Sequence, residues 1–266
     1  MKRRTNRLTV IIFAAAIALG ACRSQEEPQV ERPVDDLYNI AVNSLMTENY
    51  AAAARQFDEV ERQHPYSVWA TRSQLMAAYA FYMDSKYDEA ISALDRFIQL
   101  NPANRDVAYA YYLKALCYYE QISDVQRDAR MTELALASLT EVVNRFPNSV
   151  FARDARLKIE LAHDHLAGKE MEVARFYQRQ RQFLGAINRY RIVIDRYQTT
   201  SHVPEALHRL VECYLALGLV DEARRTASVL GHNYPGSDWY EDSFSLIETG
   251  RLPNRDQPGF IRRLFN

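Results

Sequence analysis

The chain has 266 residues, 48% of them hydrophobic and 25% charged, with 33 Lys plus Arg against 34 Asp plus Glu and a formal net charge of −1. That balance excludes the strongly basic surface from which nucleic-acid-binding proteins draw most of their affinity, and three cysteines are too few for a disulfide-stapled fold. About 230 residues beyond the N-terminal segment suffice for one continuous core.

Residues 1–21 read as a targeting segment: Lys2, Arg3, Arg4 and Arg7 precede an apolar run from Leu8 to Leu19. The run is well short of the ~20 residues that span a bilayer. It ends in Leu19-Gly20-Ala21-Cys22, which is similar to the bacterial lipoprotein box, with small residues before the cleaved bond and a cysteine that is acylated. Cys22 is therefore the expected lipidation site. Cleavage there removes four basic residues and leaves 29 Lys plus Arg against 34 Asp plus Glu, a formal charge of −5. By the sorting rule that goes with that resemblance, Asp after the cysteine retains a lipoprotein in the inner membrane; Arg23 stands here, so the expected place is the periplasmic face of the outer membrane. Residues 22–34 then form a polar tether (RSQEEPQVERPV after the cysteine), which holds two prolines and no apolar period.

From residue 35 to residue 249 one pattern recurs: Ala, an apolar residue four positions on, and Pro eight after that. It reads Ala53, Phe57, Pro65; Ala90, Leu94, Pro102; Ala135, Leu139, Pro147; Ala186, Tyr190 with Gln198 in place of Pro; and Ala223, Ala227, Pro235. Pro65 to Pro102 is 37 residues, as is Gln198 to Pro235, while the two wider gaps of 45 and 51 carry insertions. Ala belongs where two helices cross closely, and Pro ends the second helix of each pair. The pattern matches the tetratricopeptide repeat, an all-α solenoid of about five helical hairpins.

The spacing predicts helices over Asp35–Thr47 and Tyr50–Gln63, Trp69–Asp84 and Tyr87–Gln99, and Arg105–Gln121 and Thr132–Arg145, the last two separated by the insertion Ser123–Arg130. Val150–Gln180 reads as one long helix with Gly168 as a candidate kink. The second helix of repeat four begins at Phe183, Pro204–Leu217 and Asp221–Asn233 follow, and Asp238–Glu248 closes the stack. Residues 250–266 form a basic tail. Cys117 and Cys213 lie two repeats apart and are expected as small buried side chains without a disulfide.

In such repeats the first helix of each pair lines the inner side. The 37-residue phase then puts Tyr38, Tyr79, Tyr82, Tyr109, Tyr112 and Tyr119 on one stripe, with Arg72 at its end to meet a peptide carboxylate. Tyrosine gives rigid area and a hydroxyl at low entropy cost, so this is the candidate peptide groove, although core packing between hairpins accounts for such a stripe almost as well. Repeats four and five present Met171, Arg175, Gln178, Glu205, His208 and Glu212 instead, with Arg179 beside them. An arginine-rich stretch from Arg175 to Arg196, with Phe183 adjoining, is a second candidate interface. No catalytic motif, metal-ligand spacing or phosphate loop appears, so neither an enzyme, a metal nor a cofactor is expected.

Tether, repeats and the segments Gln63-His64-Pro65-Tyr66-Ser67, Arg96-Phe97-Ile98-Gln99-Leu100-Asn101-Pro102 and Phe146-Pro147-Asn148-Ser149 together resemble the BamD (ComL) family of outer-membrane protein assembly lipoproteins. Gln198 and the basic tail depart from the family pattern. The resemblance implies a non-enzymatic subunit of the β-barrel assembly machinery, with a BamA-like barrel subunit, other assembly lipoproteins and unfolded outer-membrane proteins as partners. Its N-terminal repeats would take the aromatic-ending C-terminal signal of a barrel substrate, and its C-terminal repeats would hold the periplasmic domains of BamA. Asn188-Arg189 matches the family segment facing BamA, which makes Arg175, Arg179, Phe183, Asn188 and Arg189 the expected contact. A lipoprotein scaffold for cell-wall enzymes is the rival reading from the same repeats.

Overall fold

The computed structural model of the chain describes residues 32–123 and 129–251. The targeting segment, Cys22, most of the tether and most of the basic tail lie outside them. Within the described residues eleven helices follow in order: α1 (Val34–Met46), α2 (Tyr50–Gln63), α3 (Val68–Met83), α4 (Tyr87–Leu100), α5 (Val107–Tyr119), α6 (Arg130–Arg145), α7 (Val150–Arg179), α8 (Phe183–Arg196), α9 (Val203–Ala216), α10 (Val220–Asn233) and α11 (Asp238–Thr249). They form a tetratricopeptide-repeat solenoid.

The local chemistry of the repeat is visible at its turns. After Pro65, Pro147 and Pro235 a serine two residues on caps the next helix: the Ser67, Ser149 and Ser237 hydroxyls accept hydrogen bonds from the backbone N–H groups of Ala70, Ala152 and Tyr240 at 3.0, 3.0 and 3.2 Å. Proline thus stops one helix and the serine starts the next. The tighter turn inside a hairpin passes through a left-handed residue at one fixed place, Glu48, Ser85, Arg181 or Gly218. Only Gly218 takes that conformation without steric cost.

The marker alanines are where the helices meet. Ala53, Ala90, Ala135, Ala186 and Ala223 are all fully buried, as are Phe57, Leu94, Leu139 and Tyr190 one turn later. A large side chain at any of these alanines would force the paired helices apart, while each large partner contributes roughly 1.5–3 kcal/mol by burial. Cys117 and Cys213 are free thiols at 0% exposure, and burial pushes the pKa of each up to about 12.

Successive first helices touch one another, α1 on α3, α3 on α5 and α5 on α7, so they lie along one side of the stack, the inner side of the repeat. The helix α7 is 30 residues long and passes unbroken through the buried Gly168. Its N-terminal half packs on α6 and the end of α5, while its C-terminal half packs on α8 and the core shared with α9 to α11. One helix therefore joins two half-solenoids.

Candidate functional site

On the N-terminal half, all six tyrosines of the stripe are half-buried. All six pack against the core clusters of the N-terminal half while keeping part of their surface accessible. Tyr38 packs against Trp69 and Phe57, with ring centroids 4.5 and 5.6 Å apart. The Arg72 guanidinium lies over the Trp69 ring at 5.3 Å; it is exposed and has no carboxylate partner among the described residues. Tyr79, Tyr82 and Tyr109 lie against the α3–α5 core. Tyr109 and Tyr112 both contact Phe151 of α7, at 5.5 and 5.3 Å, the second as a stack. The Lys158 ammonium sits 5.2 Å over the Tyr119 ring.

Two of the hydroxyls along this strip act as donors to carboxylates. Tyr112 donates to the Asp154 carboxylate, which Lys158 also contacts at 3.2 Å, and Tyr82 donates to Glu120 at 3.5 Å. Burial, with Glu120 beside Tyr82 and the neighbouring phenols of Tyr79 and Tyr82 beside Tyr109, pushes Tyr82 and Tyr109 up to about 12, and burial together with Asp154 pushes Tyr112 well above the ordinary phenol range. These phenols stay protonated at any physiological pH. The result is a neutral aromatic strip with one unspent cation, Arg72, near its end.

Trp69 and Phe151 complete this strip and are absent from the sequence-based stripe. Trp69 lies in the first turn of α3, one turn before Arg72, and Phe151 opens α7, whose length carries the fourth repeat's inner positions four turns further on.

The C-terminal half is built differently. Arg175 forms a two-pronged pair with Glu205 of α9 at 3.1 and 2.9 Å and also binds Glu172. Arg209 binds Glu205 and Glu212 at 3.5 and 2.8 Å and lies 5.5 Å over the Trp239 ring. Gln178 donates to Glu212 at 2.8 Å and accepts from the buried Tyr190 hydroxyl at 2.7 Å. Burial pulls the Glu212 carboxyl up, but hydrogen bonds from His208, Arg209 and Gln178 outweigh it and hold the group at about 2. His208 meets Ser243 at 2.8 Å and Glu212 at 3.4 Å. That Ser-His-Glu grouping resembles a nucleophile triad, yet Ser243 is 0% and His208 1% exposed, so no substrate atom reaches it.

The residues expected to face a barrel subunit have different surroundings. Arg175 is committed to the inner network just described. Arg189 is on α8 and pairs with Glu170 of α7 at 3.0 Å. Asn188 and Arg179 are exposed, and Phe183 packs partly into the α7–α11 core. Among the described residues no group of three His, Cys, Asp or Glu could hold a metal ion, and no helix is long and apolar enough to cross a membrane.

Comparison with known proteins places these surfaces in a family. Residues 30–230 match the family model described as "YfiO: Outer membrane lipoprotein". The chain is 50% identical to the outer membrane protein assembly factor BamD of Caulobacter vibrioides over 94% of its own length and 83% of that protein's, and 44% identical to BamD of Rickettsia prowazekii over 92% and 98%. Among solved structures it is similar to a thermophilic TPR protein of Thermus thermophilus, at 18% identity and a TM-score of 0.39, over 80% of this chain and 98% of that one. The chain belongs to the YfiO family of outer membrane lipoproteins, the family of the outer membrane protein assembly factor BamD.

Proposed function

We propose that this protein is a non-enzymatic, lipid-anchored subunit of the machinery that assembles β-barrel proteins in the outer membrane, working on its periplasmic face. The strip formed by Tyr38, Trp69, Arg72, Tyr79, Tyr82, Tyr109, Tyr112 and Tyr119 takes the aromatic-ending C-terminal segment of an unfolded barrel protein. The observation that carries this reading is the half-burial of all six tyrosines: side chains already ordered by core packing, with surface left accessible, offer contact area at little ordering cost on binding. Arg72, stacked on Trp69 and free of carboxylates, supplies the charge a peptide C-terminus requires. An aromatic peptide from a barrel C-terminus should bind the mature chain, and Tyr79→Ala and Tyr112→Ala should each weaken it with helix content intact. Unchanged affinity in both variants would remove the groove from the account.

The barrel-forming BamA-like subunit is proposed to dock on the C-terminal repeats through the outer side of α8, with Asn188 and Arg189 at its centre and Arg179 and Phe183 nearby; other assembly lipoproteins complete the complex. Arg189→Glu should lower recovery of the barrel subunit from membranes. Because Arg189 also pairs with Glu170, Glu170→Gln is the control: it breaks the internal pair but leaves the arginine free to bind. Equal loss in both variants would assign Arg189 to internal packing. Anchoring is proposed at Cys22, and Cys22→Ser should release the protein from the membrane fraction.

A further inference from the structure

One edge of the solenoid carries exposed apolar side chains beside the Arg72 end of the peptide strip. Tyr66, Val68, Leu100 and Pro102 share a single open cleft with Arg72, Arg105 and Asp106 where the α2–α3 turn and the α4–α5 turn lie side by side. Tyr66 is 101% exposed, Val68 75% and Leu100 63%, so these side chains project fully into solvent. The turn that presents Tyr66 is tightly held: the Ser67 N–H donates to the His64 carbonyl at 3.0 Å and the Ser67 hydroxyl caps α3. Isolated exposed apolar residues need no explanation, but an aromatic ring and two aliphatic side chains lining one rigid cleft do.

The position of the chain's N-terminal side indicates what covers them. The backbone of Arg32 is strapped to the same turn: its carbonyl meets His64 Nε2 at 2.9 Å and its N–H donates to Gln63 Oε1 at 3.4 Å. The tether thus leaves the solenoid beside Tyr66. Cys22 is ten residues upstream of Arg32, a span of at most ~36 Å when extended.

We infer that this edge is a membrane-contact surface, with Tyr66, Val68 and Leu100 seated at the headgroup boundary of the bilayer that holds the anchor. The inference rests on the proposed anchoring at Cys22. An aromatic residue flanked by aliphatic ones is the composition that partitions into that boundary. A short tether plus this edge makes a two-point attachment, which fixes the orientation of the inner face relative to the membrane; a tether alone would leave the solenoid free to turn. Tyr66 itself is not part of the peptide strip, although Val68 adjoins Trp69.

The test makes its own anchor, so it does not depend on native acylation. The mature chain is joined through the Cys22 thiol to a maleimide lipid in phosphatidylethanolamine–phosphatidylglycerol vesicles; Cys117 and Cys213 are fully buried and stay unreacted. Tyr66→Trp supplies a depth probe, with Leu184→Trp on α8, an equally simple exposed site at 69%, as the comparison, each read against the parent's own Trp69 and Trp239. Lipids brominated on the acyl chain should quench the new Tyr66→Trp emission at least twofold and leave Leu184→Trp unaffected. Val68→Glu with Leu100→Glu should abolish that quenching without changing helix content. Quenching at Tyr66→Trp no greater than at Leu184→Trp, or insensitive to the two glutamates, would overturn the inference. Acylation of Cys22 in cells, read by mass, separately decides the anchor.

Discussion

Along α1, α3 and α5 the inner face meets solvent with phenol rings and a single cation without a carboxylate partner, whereas along α7 and α9 it meets solvent with arginines and glutamates already bound to each other. The first arrangement leaves its recognition chemistry unspent. The second consumes it: Arg175, Glu205, Arg209, Glu212, Gln178 and Tyr190 form one chain of contacts from α7 through α9 to the edge of α8. One solenoid therefore separates the surface proposed for the peptide from a surface that locks its own repeats, and the long helix α7 belongs to both. The lesson is that like positions in successive repeats need not share a task; whether a charged residue is available depends on what stands opposite it in the next helix.

Breaking the lock should have the largest effect. Glu212→Ala removes one partner each from Arg209, Gln178 and His208 in a site where the carboxylate is only 17% exposed, and should cost about 3 kcal/mol in urea unfolding while the barrel peptide still binds at wild-type affinity. Loss of peptide binding in a folded Glu212→Ala would show that the two regions are not separate.

The same carboxylate sets an acid-side dependence. Its folded value of about 2 lies below the ordinary 4.5, so its contribution is complete above about pH 5 and is lost as pH falls from there towards 2, an effect of roughly 2–3 kcal/mol. Unfolding midpoints measured from pH 7 down to pH 3 should fall less steeply in Glu212→Gln than in the parent. Parallel slopes would remove this residue as the source.

Effects on the aromatic half should be smaller and confined to binding. Tyr112→Ala removes the stack on Phe151 and the donor to Asp154, and should weaken the peptide about tenfold, or ~1.4 kcal/mol. Tyr112→Phe, which keeps the ring, should lose less than half of that. The smallest effect is expected for Arg72→Lys: charge survives but the planar stack on Trp69 and the two-pronged grip on a carboxylate do not, a loss of roughly threefold by titration. A peptide with an amidated C-terminus should show no difference between Arg72 and Arg72→Lys.

Much of this division was legible in the amino-acid sequence. The alanine phase gave the helices to within about two residues at most ends, because a close helix crossing tolerates little else, and it put six tyrosines on the inner side of the N-terminal repeats and charges on the inner side of the C-terminal ones. Trp69 escaped because it precedes the counted inner positions, and Phe151 because the 30-residue α7 shifts the repeat phase, leaving its first half without assigned inner residues. The arginine-rich stretch looked like one surface because its acidic partners, Glu170 and Glu205, lie outside it in sequence. Pairing across helices is not written in spacing along one of them.

The central claim is that the N-terminal inner face alone receives the substrate segment. A barrel C-terminal peptide carrying a photo-crosslinking group beside its final aromatic residue, mixed with the mature chain and mapped by mass spectrometry, tests it directly. Crosslinks should fall on α1, α3, α5 and the first turn of α7, around Tyr38, Trp69, Tyr79, Tyr112 and Phe151. Crosslinks concentrated on α9 or on the C-terminal half of α7, with the tyrosine strip unmarked, would contradict it.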